Sequence, residues 1–484
     1  MERTLIIHGY SDCSESFVEI KNYIAAQGIG PVDSIYYADY QSREDSLTFD
    51  DAIDGLNDQL IARGFIDAQG RKLCDLNVIV HSTGGLVIRH WLWRYYLRDG
   101  LRFDDCPVRR MVMLAPANFG SPLAQRGKSF LGSLVKGRWK VGDFLEVGRQ
   151  VLDGLELGSP YQWALAHGDL LGKDVLYNAD RIHVTILVGA DDYTGIAAWV
   201  NKPGTDGTVV IAGTSLDSAK MILDCCSMGD SQKPFEWHST KTVDEFGFGV
   251  LPGLNHGTIV NRIKPNDGGI VGPWLLRGLT TSSAADMRRL ITDLEQQTQA
   301  TYATPGAAPG SPKYEVFQQF LVHAIDDQGA PVRDFTLEFL LSNAAPGDRE
   351  GENCAPNGRN YSDLVSRLLT AEFHQHSVDP SYRRFLFVPR RIGDLMTEAK
   401  QAWQSDVRLM MRIYVPAIDK GIRYDSDSLQ HIVLADTAPP PPGQTPLNFL
   451  YENTTTLLEI RINRMNEYVI VGPDPRKDVV PGKR

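Results

Sequence analysis

A serine between an apolar run and a helical pattern is the first sign of chemistry in this sequence. Ser82 stands in the stretch Leu-Asn-Val-Ile-Val-His-Ser-Thr-Gly-Gly-Leu-Val, which begins at Leu76. An apolar strand that runs straight into such a turn lifts the serine hydroxyl out of the sheet, and the free N–H groups of the following helix face any negative charge formed there. The pattern predicts a nucleophile at Ser82. The alternative is that Ser82 only caps the helix from Leu86 onwards.

An acidic residue and a histidine follow this serine along the chain, each in a loop that contains glycine. Asp206 lies in Gly-Thr-Asp-Gly-Thr-Val, and His256 lies in Leu-Asn-His-Gly-Thr-Ile-Val. Asp206 has two competitors, Asp191 and Asp192, which follow an earlier apolar run. Asp-Gly is also a common turn pair, so a purely structural role for Asp206 stays open, as does an ordinary loop histidine at position 256.

The residues around Ser82 resemble the nucleophile elbow of the α/β-hydrolase superfamily, and the His-Ser-x-Gly-Gly-Leu form is similar to that of its lipases. One position departs from the pattern, because Val80 stands where these proteins usually have a small residue. The segment around Asp206 resembles the acid-bearing loop of lecithin-cholesterol acyltransferase and related bacterial lipases. The segment around His256 resembles their histidine loop. GPI inositol-deacylases share the resemblance, which covers roughly residues 1–300.

This resemblance implies a role for each candidate residue. Asp206 orients His256, which takes the proton from Ser82 and later delivers it to the leaving group. The backbone N–H groups of Tyr10, in the His-Gly-Tyr turn after the first apolar run, and of Thr83 form an oxyanion hole. A plain turn after a strand is the alternative at Tyr10. No metal and no organic cofactor is expected.

Apolar runs and helical patterns alternate from the start of the chain to about residue 115. Strands separated by helices need crossover connections, which predicts a mostly parallel sheet covered on both faces. We therefore expect an α/β-hydrolase fold over residues 1–300, with one of its short strands at 208–212. The Pro/Gly-rich stretch at 301–312 is predicted to be a linker.

Beyond residue 313 the apolar period shifts towards two, which indicates strands. We expect a smaller, β-rich domain over 313–472, an immunoglobulin-like sandwich with inserted helices, followed by a tail at 473–484. Residues 316–325 and 335–341 are predicted to form a hairpin. This domain is a candidate site for a protein partner.

The region of about 121–180 is longer than a strand-to-helix connection requires, which predicts a lid inserted over Ser82. Its first part, 121–142, has no acidic residue and mixes basic with apolar side chains; the basic ones are Arg126, Lys128, Lys136, Arg138 and Lys140. Such a stretch suits contact with an anionic membrane surface. A solvated charged face is the alternative.

The formal charge of the chain is -11, from 49 basic and 60 acidic residues, which argues against a nucleic-acid partner. Nothing at the amino terminus resembles a signal peptide, and no apolar run approaches the length of a membrane span. We therefore expect synthesis in the cytoplasm, with export by a route that needs no cleavable signal left open. The six cysteines lack paired spacing and are predicted to be mostly reduced thiols.

The resemblance implies a serine hydrolase that cleaves carboxylic esters of acyl lipids, as lipases, esterases and phospholipases do. Acyl transfer, thioester cleavage or amide cleavage by the same residues is one alternative, because these three reactions and ester cleavage all pass through an acyl-enzyme. A non-catalytic binding protein with the same fold is another.

Overall fold

The structure is a computed structural model that describes part of the chain. The described residues are 2–8, 17–35, 48–100, 102–124, 149–194, 198, 201–226, 238–240, 243–264, 268–343, 355–416, 424, 429, 432–439 and 449–464. The basic stretch of the predicted lid, the expected tail and Tyr10 lie outside these residues.

Strands and helices alternate in the first half of the chain, and strands dominate the second half. The strands are β1 (Glu2–Ile7), β2 (Val32–Ile35), β3 (Asp75–His81), β4 (Val108–Leu114), β5 (His183–Gly189), β6 (Ser218–Asp224), β7 (His238–Thr240), β8 (Gly247–Leu251), β9 (Gln318–Asp326), β10 (Thr336–Ser342), β11 (Glu372–Gln375), β12 (Tyr382–Phe387), β13 (Arg408–Tyr414), β14 (Ile432–Asp436) and β15 (Thr455–Ile462). The helices are α1 (Val18–Ala26), α2 (Phe49–Ala62), α3 (Gly84–Leu92), α4 (Arg149–Leu155), α5 (Pro160–Asp169), α6 (Ile211–Thr214), α7 (Thr258–Asn261), α8 (Gly272–Thr280), α9 (Ala284–Tyr302), α10 (Tyr361–Thr370) and α11 (Pro389–Trp403).

The first sheet has the order β2-β1-β3-β4-β5-β8, and all of its pairs are parallel. Its central strands are almost continuously apolar and fully buried because helices cover both faces. The mostly parallel sheet predicted from the sequence is therefore confirmed. Strand β3 lies inside this sheet, between β1 and β4, and ends directly before Ser82.

The second sheet has the order β11-β12-β9-β15-β6-β7, and a third, antiparallel sheet has the order β10-β13-β14. Apolar side chains of both sheets form a second core together with helices α10 and α11. The β-rich C-terminal part is thus confirmed, whereas the immunoglobulin-like arrangement is not. Immunoglobulin sheets are antiparallel, but β15 runs parallel to both of its neighbours, β9 and β6.

Two expectations about the strands need correction, and one strand pairing crosses a predicted domain boundary. Strands β6 and β7 lie within the predicted first domain, 1–300, yet they pair in the second sheet, so the pairing crosses the predicted boundary. The predicted hairpin is wrong, because β9 and β10 enter different sheets. The strand expected at 208–212 is wrong as well, since a tight loop leads into helix α6 there.

The Pro/Gly-rich stretch at 301–312 forms a closed loop. Helix α9 extends into it as far as Tyr302, and the Gly306 N–H then donates to Ser311 O at 2.7 Å. The Lys313 N–H donates back to Thr304 O at 2.8 Å, which brings the two ends of the loop together. We call the first sheet and its covering helices the first layer, and the second and third sheets with α10 and α11 the second layer. The chain therefore enters the second layer close to the point where it leaves the first. In the part of the chain that the structure describes, no helix has the length and hydropathy of a membrane span.

Candidate active site

Ser82 occupies the sharp turn between β3 and α3 with a left-handed backbone, φ 53°. This conformation is uncommon for a residue with a side chain and needs support from its surroundings. The Ser82 carbonyl accepts hydrogen bonds from the Gly85 N–H at 3.1 Å and the Ala117 N–H at 2.9 Å, and the Ser82 N–H donates to Leu114 O at 3.2 Å. Two neighbouring segments thus hold the serine in the strained turn.

Glycine at position 84 explains how this turn tolerates Val80. Val80 is fully buried, and a Cβ atom at position 84 would lie 3.4 Å from the Val80 Cβ and only 2.9 Å from Ile7 O. Because Gly84 has no side chain, the space beside Val80 stays free. A small residue at position 80 would provide the same space in the usual pattern. The departure from the usual pattern at Val80 is therefore compatible with the turn.

His256 lies between the serine and an acidic residue. Its Nε2 is 3.1 Å from Ser82 Oγ, and its Nδ1 is 3.0 Å from Asp206 Oδ2. All three residues are buried. The loop that carries the histidine is closed by two reciprocal bonds: the Asn255 N–H donates to Thr258 Oγ1 at 2.7 Å, and the Thr258 N–H donates to Asn255 Oδ1 at 3.0 Å. The structure brings the three predicted residues into one hydrogen-bonded series.

The Asp206 carboxylate is held by its own loop. Its Oδ1 accepts hydrogen bonds from the Thr208 N–H at 3.0 Å and the Val209 N–H at 2.9 Å, while Oδ2 faces His256. The Asp206 carbonyl also accepts the His256 N–H at 3.0 Å. Backbone and side-chain bonds therefore both connect the acid to the histidine.

The two competing acids have other surroundings. Asp191 accepts hydrogen bonds from Lys313 Nζ, at 3.2 Å, and from the Tyr314 hydroxyl. Loss of solvent around the carboxyl group, followed by the negative charges of Asp206 and Asp191, raises the pKa of Asp192 to about 6. The structure places Asp206 against the imidazole, and it places neither Asp191 nor Asp192 there.

The predicted oxyanion hole is only half described. Thr83 is buried between Ser82 and the first turn of α3. Tyr10, the other predicted donor, lies outside the described residues, so its role stays a prediction.

Sequence reasoning missed two residues that hold this site. His81 Nε2 lies 3.1 Å from His256 O, and the two imidazole rings are 4.6 Å apart. The Ser121 hydroxyl donates to Thr208 O at 2.6 Å, which ties the turn after β4 to the loop of Asp206. His81 stands in the segment that resembles the nucleophile elbow and Ser121 begins the predicted lid region, but no local pattern indicates contacts with residues so distant in the chain.

A buried ion pair supports the helix that follows the serine. Arg89 of α3 and Asp169 of α5 are fully buried, with Nε–Oδ2 and Nη2–Oδ1 distances of 2.8 and 2.9 Å. Arg89 Nη1 also donates to Asn118 O at 3.0 Å, in the turn that contacts Ser82. Burial by itself would lower the pKa of Arg89, but the charge and hydrogen bonds of Asp169 outweigh it and raise that pKa.

A polar cluster joins the two layers near the end of α4. Glu156 is buried and accepts hydrogen bonds from the Ser377 N–H and hydroxyl, and its Oε1 lies 2.9 Å from His374 Nε2. Burial would raise the pKa of this carboxyl, but its partners, chiefly His374 and Ser377, lower it to about 2. Among the described residues no group of three histidine, cysteine or acidic side chains is arranged to hold a metal ion.

Solved structures share this architecture. Phospholipase PlaB from Legionella pneumophila superposes with a TM-score of 0.72 at 21% identity, covering 100% of this chain and 98% of that one. The chain has the α/β-hydrolase fold. The same phospholipase in complex with thio-NAD gives a TM-score of 0.71 at 22% identity with the same coverage. The α/β-hydrolase layer and the appended β-rich layer are thus both shared with PlaB.

Other α/β-hydrolase structures cover less of the chain. The mature lipase BlEst2 from Bacillus licheniformis covers 58% of this chain, and 92% of that chain is matched, at 14% identity with a TM-score of 0.33. No protein-family model and no curated protein sequence matches the chain.

Proposed function

We propose that this chain is a serine hydrolase that cleaves carboxylic esters of acyl lipids. The observation that carries the proposal is the position of the His256 imidazole, 3.1 Å from Ser82 Oγ and 3.0 Å from Asp206 Oδ2. A base within hydrogen-bond distance of a hydroxyl, itself oriented by an acid, is the arrangement that activates a serine nucleophile.

In the acylation half of the reaction, Ser82 Oγ forms a bond to the carbonyl carbon of the ester while its proton moves to His256 Nε2. The Asp206 carboxylate accepts a hydrogen bond from the Nδ1–H of His256 and stabilises the resulting imidazolium. The electron pair displaced from the carbonyl gives an oxyanion, for which the Thr83 and Tyr10 N–H groups are the predicted donors. When this intermediate collapses, the bond to the leaving oxygen breaks and His256 Nε2 gives that oxygen its proton.

Water completes the cycle. Water attacks the carbonyl carbon of the acyl group on Ser82 and gives a proton to His256 Nε2. Collapse of the second oxyanion then breaks the bond between that carbon and Ser82 Oγ. The proton then returns from Nε2 to Oγ. The sum is one ester and one water converted to one alcohol and one carboxylic acid, with Ser82 and His256 restored.

Two observations support acyl lipids as the substrate class. PlaB, which shares the whole architecture, is a phospholipase by name. The segment 121–142 has basic and apolar residues and no acidic ones, which suits an anionic lipid surface.

The test is a chain-length series of nitrophenyl esters and phospholipids on the wild type, on Ser82→Ala and on a control, Ser366→Ala, in the second layer. We expect turnover by the wild type and the control, and loss of most turnover in Ser82→Ala. A fluorophosphonate should label the wild type at Ser82. If Ser82→Ala retains turnover, or the wild type is not labelled, the proposal is wrong.

Acyl transfer and amide or thioester cleavage use the same acyl-enzyme. Product analysis in water and in the presence of an alcohol acceptor distinguishes transfer from hydrolysis, and matched amide and thioester substrates separate the other two. A non-catalytic binding protein would give no product and no label.

A further inference from the structure

The second layer contacts the loop of Asp206 through one aromatic ring. Phe317 directly precedes β9, is buried, and packs on Gly204, which opens the loop with φ 71°. A Cβ atom at position 204 would lie 2.7 Å from Phe317 Cδ2. The ring therefore fills the space in which a side chain at Gly204 would lie, two residues before Asp206.

The same ring belongs to a small apolar cluster that covers both limbs of this loop. The cluster consists of Leu157, Val210, Ala212, Phe317 and Leu386. The limbs are closed by the Ile211 N–H, which donates to Gly204 O at 2.9 Å, and by a bridge between Thr205 and Val210. Asp206 thus sits at the tip of a closed loop whose base lies against the second layer.

Strand pairing sets the position of the ring. Phe317 O accepts the Asn453 N–H at 2.9 Å, just before β9 and β15 begin their parallel pairing. The Thr455 hydroxyl donates to Ala212 O at 3.4 Å, on the returning limb of the loop. A side chain of the second sheet is therefore hydrogen-bonded to the returning limb of the loop.

We propose that Phe317 is a positioning residue that keeps the Asp206 carboxylate at His256, so that the C-terminal layer forms part of the active site. The inference rests on the proposed function, because it concerns the same acid. Without the ring, Gly204 loses its packing partner and the base of the loop can move. A displacement of about 1 Å in such a group reduces the rate by about 100-fold.

The experiment compares Phe317→Ala, the conservative Phe317→Leu and a control, Phe320→Ala. Phe320 is also buried and lies in β9, but it packs in the second core against Phe387 and Phe449. Each change is made in the wild type and in Asp206→Asn. The readouts are kcat and KM on a soluble nitrophenyl ester, the rate of fluorophosphonate labelling at Ser82, and the midpoint of urea unfolding.

We expect Phe317→Ala to lower kcat and the labelling rate by about 10- to 100-fold with KM within about 2-fold, and Phe317→Leu to restore most of the loss. In Asp206→Asn the same change should alter labelling by less than about 2-fold, because the two residues act as a unit. Phe320→Ala should lower the unfolding midpoint with little effect on labelling of the folded protein.

Each result has a separate meaning. If Phe317→Ala and Phe320→Ala change labelling equally, or if the effect of Phe317→Ala persists in Asp206→Asn, the ring is only structural and the inference is wrong. If Phe317→Ala does not fold, Phe317→Val, which lacks the ring and is smaller than leucine, takes its place in the same comparison with Phe320→Ala. A wild type that is not labelled at Ser82 contradicts the proposed function and this inference with it. A labelled wild type whose Phe317→Ala variant is labelled as fast as Phe320→Ala contradicts the inference alone.

Discussion

Arg89 and Asp169 form a bidentate ion pair in which both side chains have 0% exposure. Removing one partner leaves the other charge buried and alone, which costs about 3–5 kcal/mol of unfolding free energy. We therefore expect Asp169→Asn to be strongly destabilising in urea unfolding. The double change Arg89→Met with Asp169→Leu should recover much of the loss, since it removes both charges.

The pair Arg102–Asp104 is the matched control, because both of its side chains are 78% exposed. Asp104→Asn should change the unfolding free energy by less than about 1 kcal/mol. Equal effects of Asp169→Asn and Asp104→Asn would show that the buried pair contributes no more than an exposed one.

Replacing each of the three acids near the site by asparagine should affect kcat to different degrees. Asp206→Asn is expected to lower kcat on a soluble ester by on the order of 1,000- to 10,000-fold, since the histidine loses its orienting acceptor. Asp191 is bonded to Lys313 and Tyr314, Asp192 is hydrogen-bonded to Thr205, and Asp206 is the carboxylate at His256 Nδ1. Asp191→Asn and Asp192→Asn should therefore retain turnover within about 5-fold at pH 8. Initial rates of the three variants measure this order, and a loss at Asp191 or Asp192 as large as that at Asp206 would reverse the assignment.

Gly84→Ala should impair the serine turn. The added Cβ would lie 2.9 Å from Ile7 O, and a backbone oxygen cannot move aside as a flexible side chain can. We expect a loss of unfolding free energy of about 1–3 kcal/mol and a lower kcat. Gly55→Ala in α2 is the control, because a Cβ there meets nothing within 4 Å and alanine favours a helix by about 0.5–1 kcal/mol. If both variants are stabilised alike in urea unfolding, the close approach at position 84 is without consequence.

His323 should make the stability of the protein sensitive to acid. Its ring stacks on Tyr382, with centroids 3.9 Å apart, and meets the edge of Trp163 between the two layers. Burial is the main cause that lowers the pKa of His323 to about 4, with the positive potential of His167 and Lys220 acting in the same direction and Asp379 and Glu459 opposing it. Since the unfolded chain has the ordinary pKa of about 6.5, it binds the proton first as the pH falls.

The resulting contribution to stability is fully present above pH 6.5 and is lost between pH 6.5 and 4. Its size is about 1–3 kcal/mol. Urea unfolding of the wild type and of His323→Phe at pH 4.5 and 7.5 measures it. His323→Phe keeps a ring in the stack but cannot titrate, so its stability should fall less on acidification. An identical pH dependence in the two proteins would contradict this assignment.

Local pattern was sufficient for much of the first layer. The apolar runs of β3, β4 and β5 predict buried parallel strands, and the glycine-bearing segments around Ser82, Asp206 and His256 indicate loops that the structure brings together. The reason is that each of these features depends on residues close to one another in the chain.

Distant pairing could not be predicted in the same way. The alternating pattern of β6 suits any half-buried strand, and its partner β15 lies far along the chain. The hairpin expected from β9 and β10 failed for the same reason, because a turn between two strands does not decide whether they share a sheet. The contacts of Arg89 with Asp169 and of Phe317 with Gly204 depend on how whole layers pack, which no short window of sequence contains.

Strand β6 has a consequence for the order of assembly. It leaves the first layer after Asp206, is held by β15, and the chain then returns through β8 to His256. A polypeptide still emerging from the ribosome can contain all three site residues and yet lack β15, so β6 then has only the short β7 to pair with. The pairing of β6 with β15 therefore forms only after nearly the whole chain has been made.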